Sequence, residues 1–200
     1  MLRILSFATQ AGLLLVALAN AANARPANWA TPSPLSKCNA VPAGKGVACN
    51  LYKVTPTLYR SEQPDAAVFG QMASQLGIKT ELNLRLEHPN DAASLKGTGI
   101  KEIDVPMIGF WPNQGKIVTA LKALRAAEKS GPVLVHCQFG ADRTGAVIAM
   151  YRVVYQGWTP TDAADEMEQG DYHVHTEYGF SKFVRNVDIA AFRAALAKAP

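Results

Sequence analysis

Hydrophobic and polar positions follow two alternating spacings along the chain. Short apolar runs bounded by turn residues predict strands, and apolar residues three or four positions apart predict the helices between them. Strands are expected at 51–56, 58–60, 78–85, 100–106 and 132–136, and helices at 65–76, 117–129, 143–155, 159–169 and 180–197. Residues 88–99 are expected to form a loop with room for one helical turn, and residues 107–115 a Gly/Pro/Asn-rich loop.

The order of these elements predicts the fold class. Residues 132–136 (PVLVH) form a continuous apolar run, as expected for a buried strand of a parallel sheet, and residues 78–85 alternate between apolar and polar like a strand. Strands that alternate with helices predict a single α/β domain over 51–197, with a central mostly parallel sheet flanked by helices. The sequence contains no internal repeat.

The first two dozen residues have a different pattern. Arg3 supplies a positive charge, residues 11–19 are uniformly apolar, and residues 22–24 place small side chains at a cleavage position. This arrangement predicts a cleaved signal peptide at 1–24, since the apolar stretch is far shorter than the ~20 residues that span a bilayer. We therefore expect an exported protein, periplasmic or secreted, with no stable membrane insertion after cleavage.

Residues 25–50 are rich in Pro, Ser, Thr, Ala and Gly and predict an N-terminal arm. Cys38 and Cys49 lie in this arm, and in an oxidising compartment they are expected to form a disulfide. Two free thiols are the alternative. Cys137 is then left without a partner.

The amino-acid composition excludes few classes of function. The 200 residues are 48% hydrophobic and 18% charged, with a net charge of +4 and a pI near 9.0. This small basic excess is compatible with anionic substrates. Because Lys and Arg form neither a dense run nor a stripe interleaved with aromatics, nucleic-acid binding is not expected.

The segment from 133 to 145 (VLVHCQFGADRTG) carries the candidate chemistry. Cys137 and Arg143 enclose five residues between a buried strand and a helix start, where ligands bind in open α/β sheets. Such a loop can turn its backbone N–H groups inward as an anion nest, with the helix N-terminus behind it. Arg143 adds a planar fork for phosphate oxygens. The expected phosphate-binding positions are Gln138, Phe139, Gly140, Ala141, Asp142 and Arg143.

The positive field of this loop also favours the thiolate of Cys137. We therefore expect Cys137 to attack phosphorus and form a phosphocysteine that water hydrolyses. Thr144 is placed to donate a hydrogen bond to the sulfur, and His136 is expected to orient the loop through hydrogen bonds to its backbone. A buried core cysteine is the alternative for Cys137.

The pattern His136-Cys137-x-x-Gly140-x-x-Arg143-Thr144-Gly145 resembles the signature of protein tyrosine and dual-specificity phosphatases. The segments at 59–64, 82–85, 157–158 and 163–167 are similar to those of small bacterial dual-specificity-like phosphatases, some of them exported. The resemblance implies the phosphatase α/β fold, a phosphorylated protein or small phosphate monoester as substrate, and no metal or cofactor. Rhodanese-type sulfur transferases generally have a loop one residue shorter and lack the Arg-Thr-Gly continuation.

The residue that protonates the leaving group is left open. In the family it is usually an aspartate on a loop roughly thirty residues before the cysteine, yet residues 107–115 (MIGFWPNQG) contain no carboxylate. Asp104 lies inside a predicted strand. Asp142 precedes the loop arginine, as in myotubularin-type and Sac-type lipid phosphatases, but a helix-capping role is equally compatible. If no acid exists, aryl esters are favoured because phenolates leave easily.

Substrate class is also incompletely defined. The loop carries no lysine, which disfavours a highly phosphorylated inositol and favours phosphotyrosine or another monophosphate. Phe110 and Trp111 either wall the pocket or pack in the core. Arg60 and Arg85 are either secondary anion contacts or surface and ion-paired residues.

Three alternatives to protein phosphatase activity remain at this stage: a phosphate-binding module without turnover, a phosphoinositide or inositol phosphate phosphatase, and thiol redox or sulfur-transfer chemistry. The last is disfavoured because the chain has no Cys-x-x-Cys. His173 and His175 form an H-x-H pair, but no metal site is expected there because further ligands are lacking.

Overall fold

A central six-stranded sheet organises the computed structural model, which describes residues 26–33, 35, 50–87, 90–172 and 174–198. The predicted signal peptide and both cysteines of the predicted disulfide lie outside these residues and stay predictions. In the part of the chain that is described, no helix is long and apolar enough to cross a bilayer.

The sheet is mostly parallel, as predicted. Its order is β1-β2-β3-β6-β4-β5, in which β3, β6, β4 and β5 are parallel neighbours and β1 and β2 extend one edge in antiparallel fashion. The strands are β1 (Thr31–Pro32), β2 (Tyr52–Thr55), β3 (Leu58–Ser61), β4 (Thr80–Arg85), β5 (Lys101–Met107) and β6 (Val133–His136). The carboxyl ends of the parallel strands therefore meet at one edge, where the loop after β6 begins.

Helices cover both faces of the sheet. They are α1 (Ala66–Gln75), α2 (Ala92–Leu95), α3 (Gln114–Ala127), α4 (Asp142–Tyr155), α5 (Pro160–Gln169), α6 (Phe180–Arg185) and α7 (Ile189–Ala197). Leu82 and Val135 belong to the apolar cluster that contains the buried side chains of α3 to α7. Leu134 belongs to a second cluster with Phe69 of α1 and Leu95 of α2.

Strand β4 lies within the strand predicted at 78–85. Although its residues alternate between apolar and polar, all six residues of Thr80–Arg85 are buried. The strand lies between β6 and β5 with helices above and below it, so its polar side chains point into the protein rather than into solvent.

The single helix predicted at 180–197 was wrong, because the segment forms two helices, α6 and α7. Asn186 ends α6, and its side-chain amide donates to the carbonyl of Lys182. Asp188 then begins α7 by accepting a hydrogen bond from the Ala191 N–H. Side chains of this type compete with the helix backbone for hydrogen bonds, which favours ends over interiors.

The described part of the N-terminal arm packs against the domain. Strand β1 pairs with β2, and the N–H of Ala30 donates to Glu166 Oε1 of α5 at 2.6 Å. Glu166 also accepts from Arg152 of α4, and both side chains are almost completely buried. This buried ion pair therefore joins two helices and the arm.

Candidate active site

The loop from Cys137 to Arg143 connects β6 to α4. Cys137 is 2% exposed and follows the last residue of the strand, and Asp142 is the first residue of the helix. The Gly145 N–H donates to the Ala141 carbonyl at 2.7 Å, which closes the first helical turn. Cys137 and Arg143 are thus brought to one loop, as the spacing predicted.

Three consecutive carbonyl groups of the loop bond to donors outside it. The Gln138 carbonyl accepts from the Gln63 N–H at 3.2 Å, and the Phe139 carbonyl from Asn50 Nδ2 at 2.8 Å. The Gly140 carbonyl accepts from Arg60 Nη2 at 2.5 Å. Because these oxygens face away from the loop centre, the N–H groups of the same peptide units are left to face inward, which is the geometry of an anion nest.

Gly140 is required by both conformation and space. Its φ is +67°, in the left-handed region that glycine adopts without strain. A Cβ at this position would lie 2.5 Å from the carbonyl oxygen of Ser61 and the nitrogen of Glu62. The loop therefore passes directly against the chain that follows β3.

Arg60 supports this loop from behind. Its side chain is 1% exposed, and its guanidinium stacks on the Tyr172 ring at 3.6 Å. Burial lowers the pKa of Arg60. The sequence left open a secondary anion contact or a surface or ion-paired role for this residue. A surface position is wrong, since Arg60 is buried and binds the Gly140 carbonyl inside the protein.

Arg143 is positioned by two neighbouring segments. Its Nη1 donates to the Glu87 carboxylate oxygens at 3.1 and 3.0 Å and to the Met107 carbonyl at 3.2 Å. A Cβ at Gly109 would lie 3.4 Å from the guanidinium carbon, so the loop after β5 passes close to the arginine. Burial raises the pKa of Glu87, but hydrogen bonds from its own backbone and from Arg143 outweigh this and hold it below its ordinary value.

Asp142 binds His175 instead of capping the helix. Its Oδ1 accepts from the His175 N–H and its Oδ2 contacts His175 Nδ1, both at 2.8 Å. Ala141, not Asp142, holds the N-cap position, and its side chain makes no capping hydrogen bond. The capping role considered for Asp142 was therefore wrong. Of the H-x-H pair, His173 lies outside the described residues.

His136 does not orient the loop in the predicted way. Its Nε2 contacts Glu81 Oε2 at 3.0 Å, and its Nδ1 has no partner among the described residues. Burial raises the pKa of Glu81. Asp91 lies beside this pair, 3.7 Å from His136 Nε2, and Arg85 binds Asp91 at 2.7 Å. His136 thus anchors the end of β6 to a buried polar cluster, and Arg85 is ion-paired within it.

Thr144 also departs from its predicted role. Its hydroxyl is buried and makes no hydrogen bond within the described part of the chain. The predicted hydrogen bond to the Cys137 sulfur is therefore not formed in this structure.

Asp104 lies within β5, opposite Asn83 of β4. The pKa of Asp104 is raised above its ordinary value, mainly by burial and also by the charge of the nearby Asp91. The charges of His136 and Arg85 oppose this effect only in part. Its electrostatic neighbours thus belong to the buried polar cluster and not to the loop from Cys137 to Arg143.

Several large apolar side chains are exposed in or near the loop from Cys137 to Arg143, which we call the cradle. Phe110 and Trp111 are 66% and 71% exposed, which excludes the core-packing alternative for both. Four further exposed apolar residues belong to the cradle or lie beside residues that contact it, and we call all six the apolar rim: Leu86, Ile108, Phe110, Trp111, Phe139 and Tyr178. Leu86 and Ile108 adjoin Glu87 and Met107, the partners of Arg143, and Tyr178 stacks on His175.

This arrangement combines a buried thiol, inward N–H groups and a fixed guanidinium at the end of a parallel strand. A family model described as dual specificity phosphatase, catalytic domain, matches residues 58–188. The chain belongs to the dual specificity phosphatase family. It is an enzyme of the cysteine-based phosphatase class.

Individual relatives agree with this assignment. The dual specificity protein phosphatase TpbA of Pseudomonas aeruginosa (strain PAO1) is 35% identical over 149 residues, which is 74% of this chain and 67% of TpbA. The inositol diphosphatase SIW14 of Saccharomyces cerevisiae is 32% identical over 123 residues, covering 58% of this chain and 43% of SIW14.

Solved structures show the same fold. A crystal structure of P. aeruginosa TpbA has a TM-score of 0.72 and 32% identity, and the match covers 88% of this chain and all of that one. A cysteine-to-serine variant of TpbA in complex with pTyr also has a TM-score of 0.72, at 31% identity. The expected phosphatase α/β fold is therefore confirmed.

Sequence reasoning missed several partners of the loop. Asn50, Glu81, Glu87 and Asp91 drew no attention, and His175 was considered only as a metal ligand. Each reaches the loop or the strand before it from a distant part of the chain, so spacing within the motif carries no information about them. Of these residues, only Glu81 could have been noticed in the sequence, because it is a charged residue inside a predicted strand.

Proposed function

We propose that this phosphatase hydrolyses phosphate monoesters through a phosphocysteine on Cys137. The outward bonding of the Gln138, Phe139 and Gly140 carbonyls supports this most directly, since it leaves the N–H groups to bind three phosphate oxygens. Arg143 adds a charged donor at the same place. The Cys137 thiolate then lies below the phosphorus, in line with the departing ester oxygen.

In the first step a bond forms between Sγ and phosphorus while the P–O bond to the ester oxygen breaks, and a proton donor of the site protonates that oxygen. In the second, water attacks phosphorus and gives a proton back to that group, the S–P bond breaks, and phosphate leaves with the thiolate restored. The cradle binds the charge that develops on the phosphoryl oxygens in both steps.

Replacing Cys137 with Ser tests this mechanism. Phosphate release from p-nitrophenyl phosphate should fall at least about 10³-fold, because serine is a far weaker nucleophile at neutral pH. Vanadate or phosphotyrosine should still bind the variant, since the N–H groups and Arg143 are unchanged. Cys137→Ser turnover equal to the wild type would contradict the proposal, and wild-type binding without turnover would favour a phosphate-binding module.

We further propose that the preferred substrate carries its single phosphate on a flat aromatic body, as phosphotyrosine does. The apolar rim supports this, because aromatic side chains contact aromatic rings favourably in stacked or edge-on arrangements. The cradle contains no lysine that could bind additional phosphates. SIW14, by its name, acts on an inositol diphosphate, so both substrate classes have to be compared.

The Trp111→Ala and Phe139→Ala variants test the rim. Their KM for a phosphotyrosine peptide should rise about 3- to 10-fold, corresponding to ~0.5–1.5 kcal/mol for one aromatic contact. Tyr155→Ala is the matched control, since Tyr155 is also exposed but lies at the far end of α4. Faster hydrolysis of inositol polyphosphates than of phosphotyrosine peptides would refute the substrate assignment.

Finally, we propose that the chain is exported and that residues 1–24 are removed. The charge, the apolar stretch and the small residues at 22–24 support this proposal. Expression of the full chain in a Gram-negative bacterium should yield a periplasmic product whose N-terminal sequence begins at Arg25. A cytoplasmic product that retains residues 1–24 would refute export.

A further inference from the structure

His175 is bound to the loop from Cys137 to Arg143 through the side chain of Asp142. Asp142, which holds it, immediately precedes Arg143 in the loop. The Asp142 side chain is 8% exposed, whereas the imidazole is 40% exposed. An exposed imidazole is therefore held, through a buried carboxylate, next to the loop that is proposed to bind the phosphate.

Two contacts fix the orientation of this imidazole. Nδ1 faces Asp142 Oδ2 at 2.8 Å, and the ring stacks on Tyr178 with centroids 4.9 Å apart at 27°. A carboxylate on Nδ1 keeps a proton there and orients the second nitrogen. Nε2 makes no hydrogen bond to the residues that the structure describes, so it is available to a substrate.

The charged groups around His175 favour its protonated form. The hydrogen bond that the His175 side chain donates to Asp142 of α4 raises the pKa of His175, and the charge of Glu177 in the neighbouring turn Thr176–Tyr178 acts in the same direction. Tyr178 stacks on the ring without a charge. An imidazolium is thus present over a wider pH range than for an ordinary histidine.

We propose that His175, paired with Asp142, is the proton donor to the leaving oxygen. The proposal rests on the phosphocysteine mechanism above and assigns its missing acid. The loop at 107–115, where such an acid is expected, contains no carboxylate. Both oxygens of Asp142 face His175, so Asp142 positions and charges the histidine and does not itself donate to substrate.

The protons balance over the two steps. As Sγ bonds to phosphorus and the ester P–O bond breaks, Nε2–H transfers its proton to the departing oxygen and the imidazole becomes neutral. Nε2 then accepts a proton from the attacking water while the S–P bond breaks. Phosphate leaves, the thiolate is restored and the imidazolium is regenerated.

His175→Asn tests the donor, because asparagine keeps an N–H donor for Asp142 but carries no transferable proton. Hydrolysis of alkyl phosphates such as phosphoserine peptides should fall about 10²-fold or more, and that of p-nitrophenyl phosphate much less. The decline of wild-type kcat/KM for alkyl esters at high pH should disappear in the variant. Equal losses on both esters, or an unchanged pH profile, would overturn the proposal.

Two further variants separate the donor from a structural role. Asp142→Asn should move the high-pH decline to lower pH, because the imidazolium loses its carboxylate, and Glu177→Gln should move it in the same direction by less. If Asp142 were the acid, Asp142→Asn would abolish the decline and His175→Asn would retain it. Failure of the phosphocysteine mechanism is distinguished by wild-type hydrolysis that does not depend on Cys137.

Discussion

Arg143 is held in place by oxygen atoms of Glu87 and Met107, which belong to the protein itself. A guanidinium that is already oriented loses less conformational freedom when it binds phosphate. Glu87 is itself half exposed, so its ion pair contributes little to the stability of the fold. Its effect should therefore be seen in catalysis more than in unfolding.

Glu87→Gln is expected to lower kcat/KM for p-nitrophenyl phosphate about 10-fold, since small displacements of a binding group are costly in rate. Unfolding free energy should change by less than ~1 kcal/mol. Steady-state kinetics and urea unfolding measure the two effects. Glu128→Gln, which alters an ion pair with Arg125 away from the loop, should leave kcat/KM unchanged.

The small contribution of the Glu87–Arg143 ion pair to the stability of the fold should depend on pH. Because the pKa of Glu87 is lower in the folded protein than in an unfolded chain, the contribution is present above the ordinary glutamate pKa. It is lost as pH falls through the folded-state value. The unfolding curves of wild type and Glu87→Gln should therefore converge in acid, and a difference that grows in acid would contradict this.

Individual residues were predicted from sequence only where they share one motif. Cys137, Gly140 and Arg143 follow from a fixed spacing between a strand and a helix. His175 lies 33 residues beyond Asp142, and no local pattern connects them. Thr144 and His136 were placed in the right loop with the wrong hydrogen bonds, because bond partners depend on packing that a motif does not specify.

The conformation of the loop from Cys137 to Arg143 depends on the close contact between Gly140 and the backbone at the end of β3. Gly140→Ala should lower the unfolding free energy by about 1–3 kcal/mol, because it combines a strained φ with a close contact to backbone atoms. Phosphatase activity should fall with it. Calorimetry and kinetics of the purified variant measure both.

Gly70→Ala is the matched control for this prediction. Gly70 lies inside α1, and a Cβ there would meet nothing within 4 Å. Because alanine favours the helix over glycine, this variant should be stabilised by about 0.5–1 kcal/mol with unchanged activity. A Gly140→Ala protein as stable and active as the wild type would show that the loop is not tightly packed.

Elements were predicted well where periodicity is strong and poorly at ends and in buried polar positions. The strand at 133–136 and the helix beside it were placed within a residue or two. The break at Asn186–Asp188 was missed because the apolar spacing continues through it, while the competing side-chain hydrogen bonds are local. The burial of β4 followed from helices on both faces, which strand-level alternation does not reveal.

At the scale of the molecule, Glu166 connects α5 to α4 and to the arm. Glu166→Ala should destabilise the protein by about 3–5 kcal/mol, because it leaves the buried Arg152 without its carboxylate. Glu168→Ala is the control, since its partner Arg185 is partly exposed and the loss should stay below ~1 kcal/mol. Equal destabilisation of the two variants in urea would contradict this account.

Because the three loop carbonyls bond to groups of the protein itself, the conformation of the cradle is supported by the fold. A recess built this way recognises the tetrahedral oxyanion itself and is indifferent to what was attached to it. Inorganic phosphate, the product of every turnover, therefore competes with each new ester for the same amides. Turnover should slow as free phosphate accumulates, so inorganic phosphate in the medium should act as a competitive inhibitor of this enzyme.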